Sequence, residues 1–69
     1  MNNLRVLDDW YLMGNLQGKM YIHGETTRVN KNGEHEVIGY NTPVSMIDFR
    51  TGIVDTTMEN FKLGKMRNG

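Results

Sequence analysis

The last third of the chain consists of short hydrophobic runs separated by turn residues. Residues 44–49 are mostly β-branched, aromatic or long and apolar, which predicts a central strand buried on much of both faces, with Ser45 as a hydroxyl inside the core. Residues 49–52 predict a tight turn, because Gly52 can adopt the positive φ that closes a short hairpin. A second, half-exposed strand is predicted at residues 53–58.

The pattern continues to Gly64. Residues 59–60 are Glu-Asn, and Asn tolerates the left-handed conformation that a turn requires. Phe61 and Leu63 then alternate with a lysine and predict a third strand. Pro43 precedes the unit, where its missing N–H disturbs a sheet least. Residues 42–64 therefore predict a three-stranded β-meander.

The first half of the chain is less regular. Residues 10–16 predict a strand, in which Gly14 indicates a bulge or a close backbone approach. Residues 12–23 fit two interpretations: one long strand bent at its glycines, or two strands joined by a turn at residues 15–18.

Residues 19–23 alternate with the period of a half-buried strand. Met20 and Ile22 are predicted to face the core. Tyr21 and His23 are predicted to share the opposite face.

The segment from 24 to 39 is the most polar of the chain. Its Asn32-Gly33 pair is typical of a type I′ turn, flanked by short strands at 27–30 and 35–38, and we expect a solvent-facing hairpin or loop. Residues 1–9 fit either a short strand or one helical turn.

Five to six short strands without a sustained helical period predict an all-β fold. The expected architecture is a small SH3-like barrel or a bent antiparallel sheet. We expect a single domain over residues 1–69, with residues 1–9 and 65–69 as frayed termini.

Composition narrows the classes of function. A chain of 69 residues without cysteine has neither disulfides nor thiolate zinc sites to support a small core, so a homo-oligomer is expected. Eight basic and eight acidic residues cancel, which makes nucleic-acid binding unlikely. Because the chain has no long apolar run and no signal-peptide pattern, we expect a cytoplasmic protein without membrane contact.

Catalytic and metal-binding patterns are weak. Ser45 lacks a nucleophile-elbow motif, and the spacing of His23, His35 and their neighbouring glutamates matches no metal motif. Asp8-Asp9 lies at an expected frayed end, and Asp48 and Asp55 are expected to hydrogen-bond local turn backbone. We expect a non-enzymatic protein without metal or cofactor.

What remains is a set of aromatic and cationic side chains suited to stacking on a base and pairing with phosphate. The candidate ligand-binding residues are Trp10, Tyr11, Lys19, Tyr21, His23, Arg28, Tyr40 and Arg50. The alternative for Trp10 and the tyrosines is that they fill a core short of large side chains.

Short motifs spread over residues 10–64 carry a resemblance to a known group of proteins. They are Trp10-x-Leu12-x-Gly14, Gly18-x-Met20-x-x-His23-Gly24, Thr42-x-Val44-x-x-Ile47-Asp48, Val54-x-Thr56 and Phe61-x-Leu63-Gly64. With them the chain resembles small β-barrel proteins encoded by phages and prophages. Residues 25–39 form a longer insert than the turn expected after His23-Gly24.

The resemblance implies a phage anti-defence role, since compact phage barrels include oligomeric sponges that sequester nucleotide immune signals in the infected host cell. Two alternatives stay open. One is a protein–protein inhibitor of a host defence or CRISPR component that docks through aromatic side chains or a sheet edge. The other is a small SH3-like nucleic-acid-binding module.

Overall fold

The computed structural model describes residues 4–67, which form a closed barrel of five strands. The strands are β1 (Arg5–Gly14), β2 (Met20–Val29), β3 (His35–Asp48), β4 (Ile53–Thr56) and β5 (Asn60–Leu63). Consecutive strands pair antiparallel, and parallel pairing of β5 with β1 closes the barrel. This architecture confirms the predicted all-β class and is consistent with a small SH3-like barrel. The described residues contain no helix long enough to cross a membrane.

The turn between β1 and β2 decides between the two interpretations of the first half. Asn15 and Lys19 are joined by a backbone hydrogen bond of 3.0 Å, so residues 12–23 form two strands, and the single bent strand is wrong. The short strands predicted at 27–30 and 35–38 are the distal ends of β2 and β3, apart from Asn30, which lies in the turn.

The turn between β2 and β3 also differs from its prediction. A type I′ turn needs positive φ at both central residues, yet here only Gly33 has one, at 79°. The Asn30 side chain instead accepts hydrogen bonds from the backbone N–H groups of Asn32 and Glu34. Asn15 does the same for Gln17 and Lys19. Both hairpins thus use an Asn-initiated loop that ends with a left-handed glycine.

A bulge at Asp9 sets the two faces of β1. The β1–β2 register shifts between Asp8 and Tyr11, and Asp9 has a φ of 53°. Side chains of a regular strand alternate faces, so residues three apart would lie on opposite sides. Because the bulge restarts the alternation, Leu7 and Trp10 both reach the core. The bulge predicted at Gly14 is wrong, since that glycine is the last residue of β1.

A second bulge, in β3, corrects the prediction for Ser45. The register shifts between Val44 and Met46, and Ser45 lies at the shift, exposed at the surface rather than inside the core. The residues facing the core change from Thr42 and Val44 before the bulge to Ile47 after it. Residues 44–49 are therefore not buried on both faces, because the outer face of this part of the barrel meets solvent.

The core is small and lies inside the barrel. Its buried hydrophobic side chains come from β1, β2, β4 and β5: Leu7, Trp10, Ile22, Val54 and Phe61. Half-buried side chains pack around them: Leu12, Tyr40, Val44, Ile47 and Leu63. Met20 points to the same side as Ile22 but is 45% exposed at the barrel end. The strand predicted at residues 53–58 ends at Thr56, so Met58 lies after it and is exposed.

The distal halves of β2 and β3 extend beyond the barrel as a two-stranded ribbon, residues 25–39, which we call the arm. The solvent-facing hairpin predicted for this polar segment is confirmed. The molecule measures 42 × 27 × 22 Å, with a radius of gyration of 12.6 Å, against about 11 Å for a compact domain of this length. The arm accounts for the elongated shape.

Both ends of the described chain are bound to the barrel, contrary to the frayed termini predicted. Arg5–Asp9 belong to β1. The backbone N–H of Lys65 donates to an Asp8 side-chain oxygen at 2.9 Å, and that of Arg67 donates to the Trp10 carbonyl at 2.9 Å. The rest of the frayed-end prediction, residues 1–3 and 68–69, lies outside the described residues.

Candidate functional site

The outer face of the β1–β2–β3 sheet collects aromatic side chains from two neighbouring strands. Strand pairing places Tyr11, His23 and Asn41 in one cross-strand row. The next row holds Met13, Tyr21 and Pro43. Directly paired residues share a face. The prediction that Tyr21 and His23 share the face of β2 away from the core is therefore confirmed.

Tyr11 makes two contacts with its ring. Its ring and that of His23 are parallel within 7°, with centroids 4.6 Å apart. The Arg67 guanidinium carbon lies 4.5 Å from the Tyr11 centroid, a cation–π distance. We call Tyr11, Tyr21, His23 and Arg67 the outer cluster.

An ion pair fixes Arg67 beside the outer cluster. Its Nε and Nη2 atoms donate to the two carboxylate oxygens of Asp9 at 3.2 and 3.0 Å, the two-pronged geometry that arginine favours. The hydrogen bonds from Arg67 hold the pKa of Asp9 below its ordinary value, and the same bonds raise the pKa of Arg67. Arg67 is therefore a permanent cation held at this place.

The segment after β5 brings Arg67 to this position. It runs alongside β1, with Trp10 and Met66 forming a parallel bridge. Gly64 allows the close approach, because a Cβ there would lie 2.6 Å from Cγ1 of Val6 and would also clash with the Asp8 carboxylate. The bulge residue Asp9 and this segment together build the cationic end of the outer cluster.

An open depression of about 300 Å³ lies next to His23, at the lower end of the range of roughly 300–1,000 Å³ for small-molecule sites. Its floor and walls combine aromatic, amide and apolar groups: Met13, Gly14, Asn15, Tyr21, His23 and Asn41. These groups can pack against a planar ring and hydrogen-bond to its edge.

Lys19 belongs to the turn that borders this depression. Its backbone N–H donates to the Asn15 side chain at 2.9 Å, and Asn15 is one of the lining residues. The residue is exposed. The depression therefore lies between two cationic residues, Lys19 in the turn and Arg67 at the far side of Tyr11.

Trp10, one of the predicted ligand-binding residues, is buried in the core and does not belong to the outer cluster. Its side chain is 6% exposed, and the indole Nε1–H donates to the Gly64 carbonyl at 3.0 Å. The Asp9 bulge turns Trp10 inward, so the alternative that it fills the core is correct.

Tyr40 also faces inward, at the opening of the barrel below the arm. Its ring packs edge-on against Phe61, with centroids 4.9 Å apart. The hydroxyl accepts a hydrogen bond from Arg5 at 3.1 Å and donates to Glu59 at 3.5 Å. These contacts assign Tyr40 to the barrel, away from the outer cluster.

The other two candidate cations lie in separate places. Arg28 is on the arm, on the face opposite His23, and pairs with Glu36 at 3.8 Å. Arg50 is exposed in the turn between β3 and β4, where its backbone N–H donates to Asp48. Asp48 is thus a turn-capping residue, as predicted. The structure brings together Tyr11, Lys19, Tyr21 and His23, and leaves Arg28 and Arg50 outside.

Sequence reasoning missed Asp9, Asn41 and Arg67. Asn41 lies on the same face as His23 because the two residues are paired across β2 and β3. The sequence alone does not give this register. Arg67 lies 58 residues from Asp9, and no local pattern reports a contact of that range.

Within residues 4–67, no group of three or more His, Asp or Glu side chains could hold a metal ion. No protein family, curated protein or solved structure significantly matches this chain.

Proposed function

We propose that this protein is a non-enzymatic binding protein that captures a nucleotide-like anion at the outer cluster and its depression. The observation that carries the proposal is the stack of His23 on Tyr11 beside an open depression, with Arg67 held against the same tyrosine. A base would pack beside His23 and Tyr21, and phosphate would pair with Arg67 or Lys19.

Rigid support favours this use of the aromatic side chains. Tyr11, Tyr21 and His23 are half-buried on paired strands rather than on loops, so little side-chain freedom remains to be lost when a ligand binds. Asn41 adds an amide that can both donate and accept hydrogen bonds at the edge of a base.

Two local cations, Arg67 and Lys19, can bind an anionic ligand although the net charge of the chain is zero. Arg67 shares its charge with Asp9, whereas no described residue forms an ion pair with Lys19 at 4.0 Å or less. One or two cations per phosphate are enough for charge-assisted hydrogen bonds. Net neutrality agrees with a small anionic ligand better than with a nucleic-acid backbone.

The proposal extends to a biological role through the resemblance to phage barrels. As a phage protein in the cytoplasm of an infected cell, it would lower the free concentration of a nucleotide immune signal by binding it, without chemical change. Sequestration of this kind acts by mass action and needs tight binding and abundant protein.

The test is calorimetric titration with cyclic dinucleotides, cyclic trinucleotides and ADP-ribose derivatives. We expect one class to bind and His23→Ala to weaken that binding by roughly 10-fold or more, since base–aromatic stacking contributes about 1–3 kcal/mol. Denaturing the complex should release the ligand intact, whereas a converted ligand would indicate an enzyme.

Phe49→Ala is the matched control, because Phe49 is an exposed aromatic residue in the β3–β4 turn. It should bind like the wild type, and so should Arg28→Ala and Arg50→Ala. Absence of binding by every ligand class would refute the proposal. Equal loss in the His23 and Phe49 variants would refute the assignment of the site.

A further inference from the structure

Both long sides of the arm lack a neighbouring strand among residues 4–67. On one side, β1 pairs with β2 only as far as the Asp8–Glu25 pair. On the other side, β4 begins to pair with β3 at the Val44–Thr56 pair. Beyond the Glu25–Gly39 pair, each strand of the arm therefore has one neighbour, which is the other strand of the arm.

The backbone groups on the free side of β3 can be identified. The Glu34 carbonyl accepts a hydrogen bond from Asn30 across the arm, whereas the Pro43 carbonyl accepts one from Thr57 on the β4 side. Successive residues of a strand direct their N–H and C=O groups to alternate sides. The residues that direct them to the free side are consequently His35, Val37, Gly39 and Asn41.

Residues 35–41 of β3 contain no proline, lysine or bulge that would hinder pairing with another chain, and Glu36 is their one acidic residue. Natural edges are blunted by proline, lysine or a bulge, and in β3 the proline and the bulge come only at Pro43 and Ser45. Val37, in the middle of the free side, is 65% exposed. The free part of β2 is shorter and carries Arg28.

Further strands beside the arm would stabilise it. A two-stranded ribbon is marginally stable in water, and three or more strands are needed for an independent sheet. The outer face of the arm is exposed on both strands, with Val29 at 58% and Val37 at 65%. A second ribbon alongside would supply the missing neighbour and shield the edge.

We propose that β3 of one copy pairs antiparallel with β3 of a second copy of this chain through residues 35–41. A two-fold axis at Ile38 makes a continuous four-stranded sheet from two arms. This homodimer rests on the free edge alone and does not depend on the proposed ligand.

Charge and backbone geometry select the position of the axis. An axis at Glu36 would place two carboxylates directly opposite each other, which is unfavourable. An axis at Ile38 places Ile38 against its own copy and Glu36 opposite Tyr40 of the second copy. It also pairs His35 with Asn41 and Val37 with Gly39, so all four free backbone positions of each strand are used.

The symmetry keeps equivalent faces on the same side of the shared sheet. Paired residues lie on one face, so the outer faces of the two arms form one surface. The two outer clusters would then lie at opposite ends of that surface, each complete within its own chain.

Two proline variants test the interface. Val37 and Thr27 are partners across the arm, and each directs its N–H away from the other strand, so proline at either position leaves the arm ladder intact. We expect wild type and Thr27→Pro to form dimers in sedimentation velocity between roughly 1 and 200 µM, and Val37→Pro to dimerise at least 10-fold more weakly.

Cross-linking tests the register without relying on proline. The chain lacks cysteine, so Ile38→Cys has one thiol, and the axis places it against its own copy at a distance that suits a disulfide. Mild oxidation should link Ile38→Cys and leave Arg28→Cys, on the same face of the other strand, unlinked. A monomeric wild type, equal dimerisation of both proline variants, or no cross-link through Ile38→Cys would overturn the proposal.

Discussion

Strands β2 and β3 run through both the barrel and the arm, but the two regions surround them differently. In the barrel each strand has two neighbours and one face closed on the core, as Ile22 shows by its complete burial. In the arm beyond Glu25, each strand has one neighbour among the described residues, and Val29 and Val37 are exposed to solvent. Because the arm strands have fewer neighbours and no closed core beneath them, we expect the arm to be less stable than the barrel.

The transition between the two regions occurs at Gly24 and Tyr40, which pair with each other. Gly24 leaves room for Leu7, whose side chain would lie 2.6 Å from a Cβ at that position. Tyr40 closes the barrel opening with its hydroxyl contacts. Beyond this pair, Thr26 is the last buried residue of β2.

The largest expected effect is in the barrel core. Trp10→Ala removes a buried ring and its hydrogen bond to Gly64, and such changes destabilise by about 3–5 kcal/mol. That is comparable to the whole stability of a domain of this size, roughly 3–5 kcal/mol. We expect the variant to be largely unfolded by circular dichroism and urea titration.

Val29→Ala is its counterpart on the arm. Val29 is exposed, so its truncation should change the free energy of unfolding by less than about 1 kcal/mol. If the two substitutions destabilised equally, the arm would be part of the same packed unit as the barrel.

The second largest effect is expected for a glycine substitution at the boundary between the barrel and the arm. Gly24→Ala forces Leu7 to move inside a packed core, and overpacking of this kind destabilises by about 1–3 kcal/mol. Gly39→Ala, on the arm, meets no atom within 4 Å and should change stability by less than about 0.5 kcal/mol. Thermal unfolding at low protein concentration compares the stability of the two variants. A larger loss of stability for Gly39→Ala than for Gly24→Ala would contradict the placement of the boundary at Gly24 and Tyr40.

The smallest effect concerns the ion pair that ties the last described residues to the barrel. The hydrogen bonds from Arg67 lower the pKa of Asp9 in the folded state. The ion pair therefore contributes to the free energy of unfolding above the ordinary pKa of an aspartate, and this contribution is lost as the pH falls through the lowered pKa. Asp9→Asn should therefore unfold slightly more easily than wild type at pH 7, and the difference should vanish in acid.

Glu36→Gln is the control on the arm, since it removes the partner of Arg28 from an exposed pair. We expect a smaller change than for Asp9→Asn in the same urea titrations. A difference between Asp9→Asn and wild type that persisted at acid pH would show that the carboxylate acts other than through its charge.

The fold class was predictable because alternation and turn residues are local signals. The turn at Gly52, the inward face of Ile22 and the outward face of Tyr21 and His23 all follow from the residues themselves. The two bulges were not predictable at their true places. Asp9 carries no glycine signal, and Ser45 is polar in a run that otherwise indicates burial.

The candidate site was predictable only in part for the same reason. Tyr21, His23 and Tyr11 are recognisable as strand aromatics, but the direction of Trp10 depends on the Asp9 bulge. Arg67 joins them through pairing between the two ends of the chain. Such long-range pairing depends on barrel closure, which residue patterns do not encode locally.

That closure has a consequence for the order of folding. The four antiparallel pairings join neighbours in sequence, whereas β1 meets β5 across nearly the whole chain, as the bond between Trp10 and Gly64, 54 residues apart, illustrates. Loop-closure entropy makes distant contacts slow to form. We therefore expect the antiparallel pairs to form before the parallel pairing of β1 with β5 closes the barrel over Trp10.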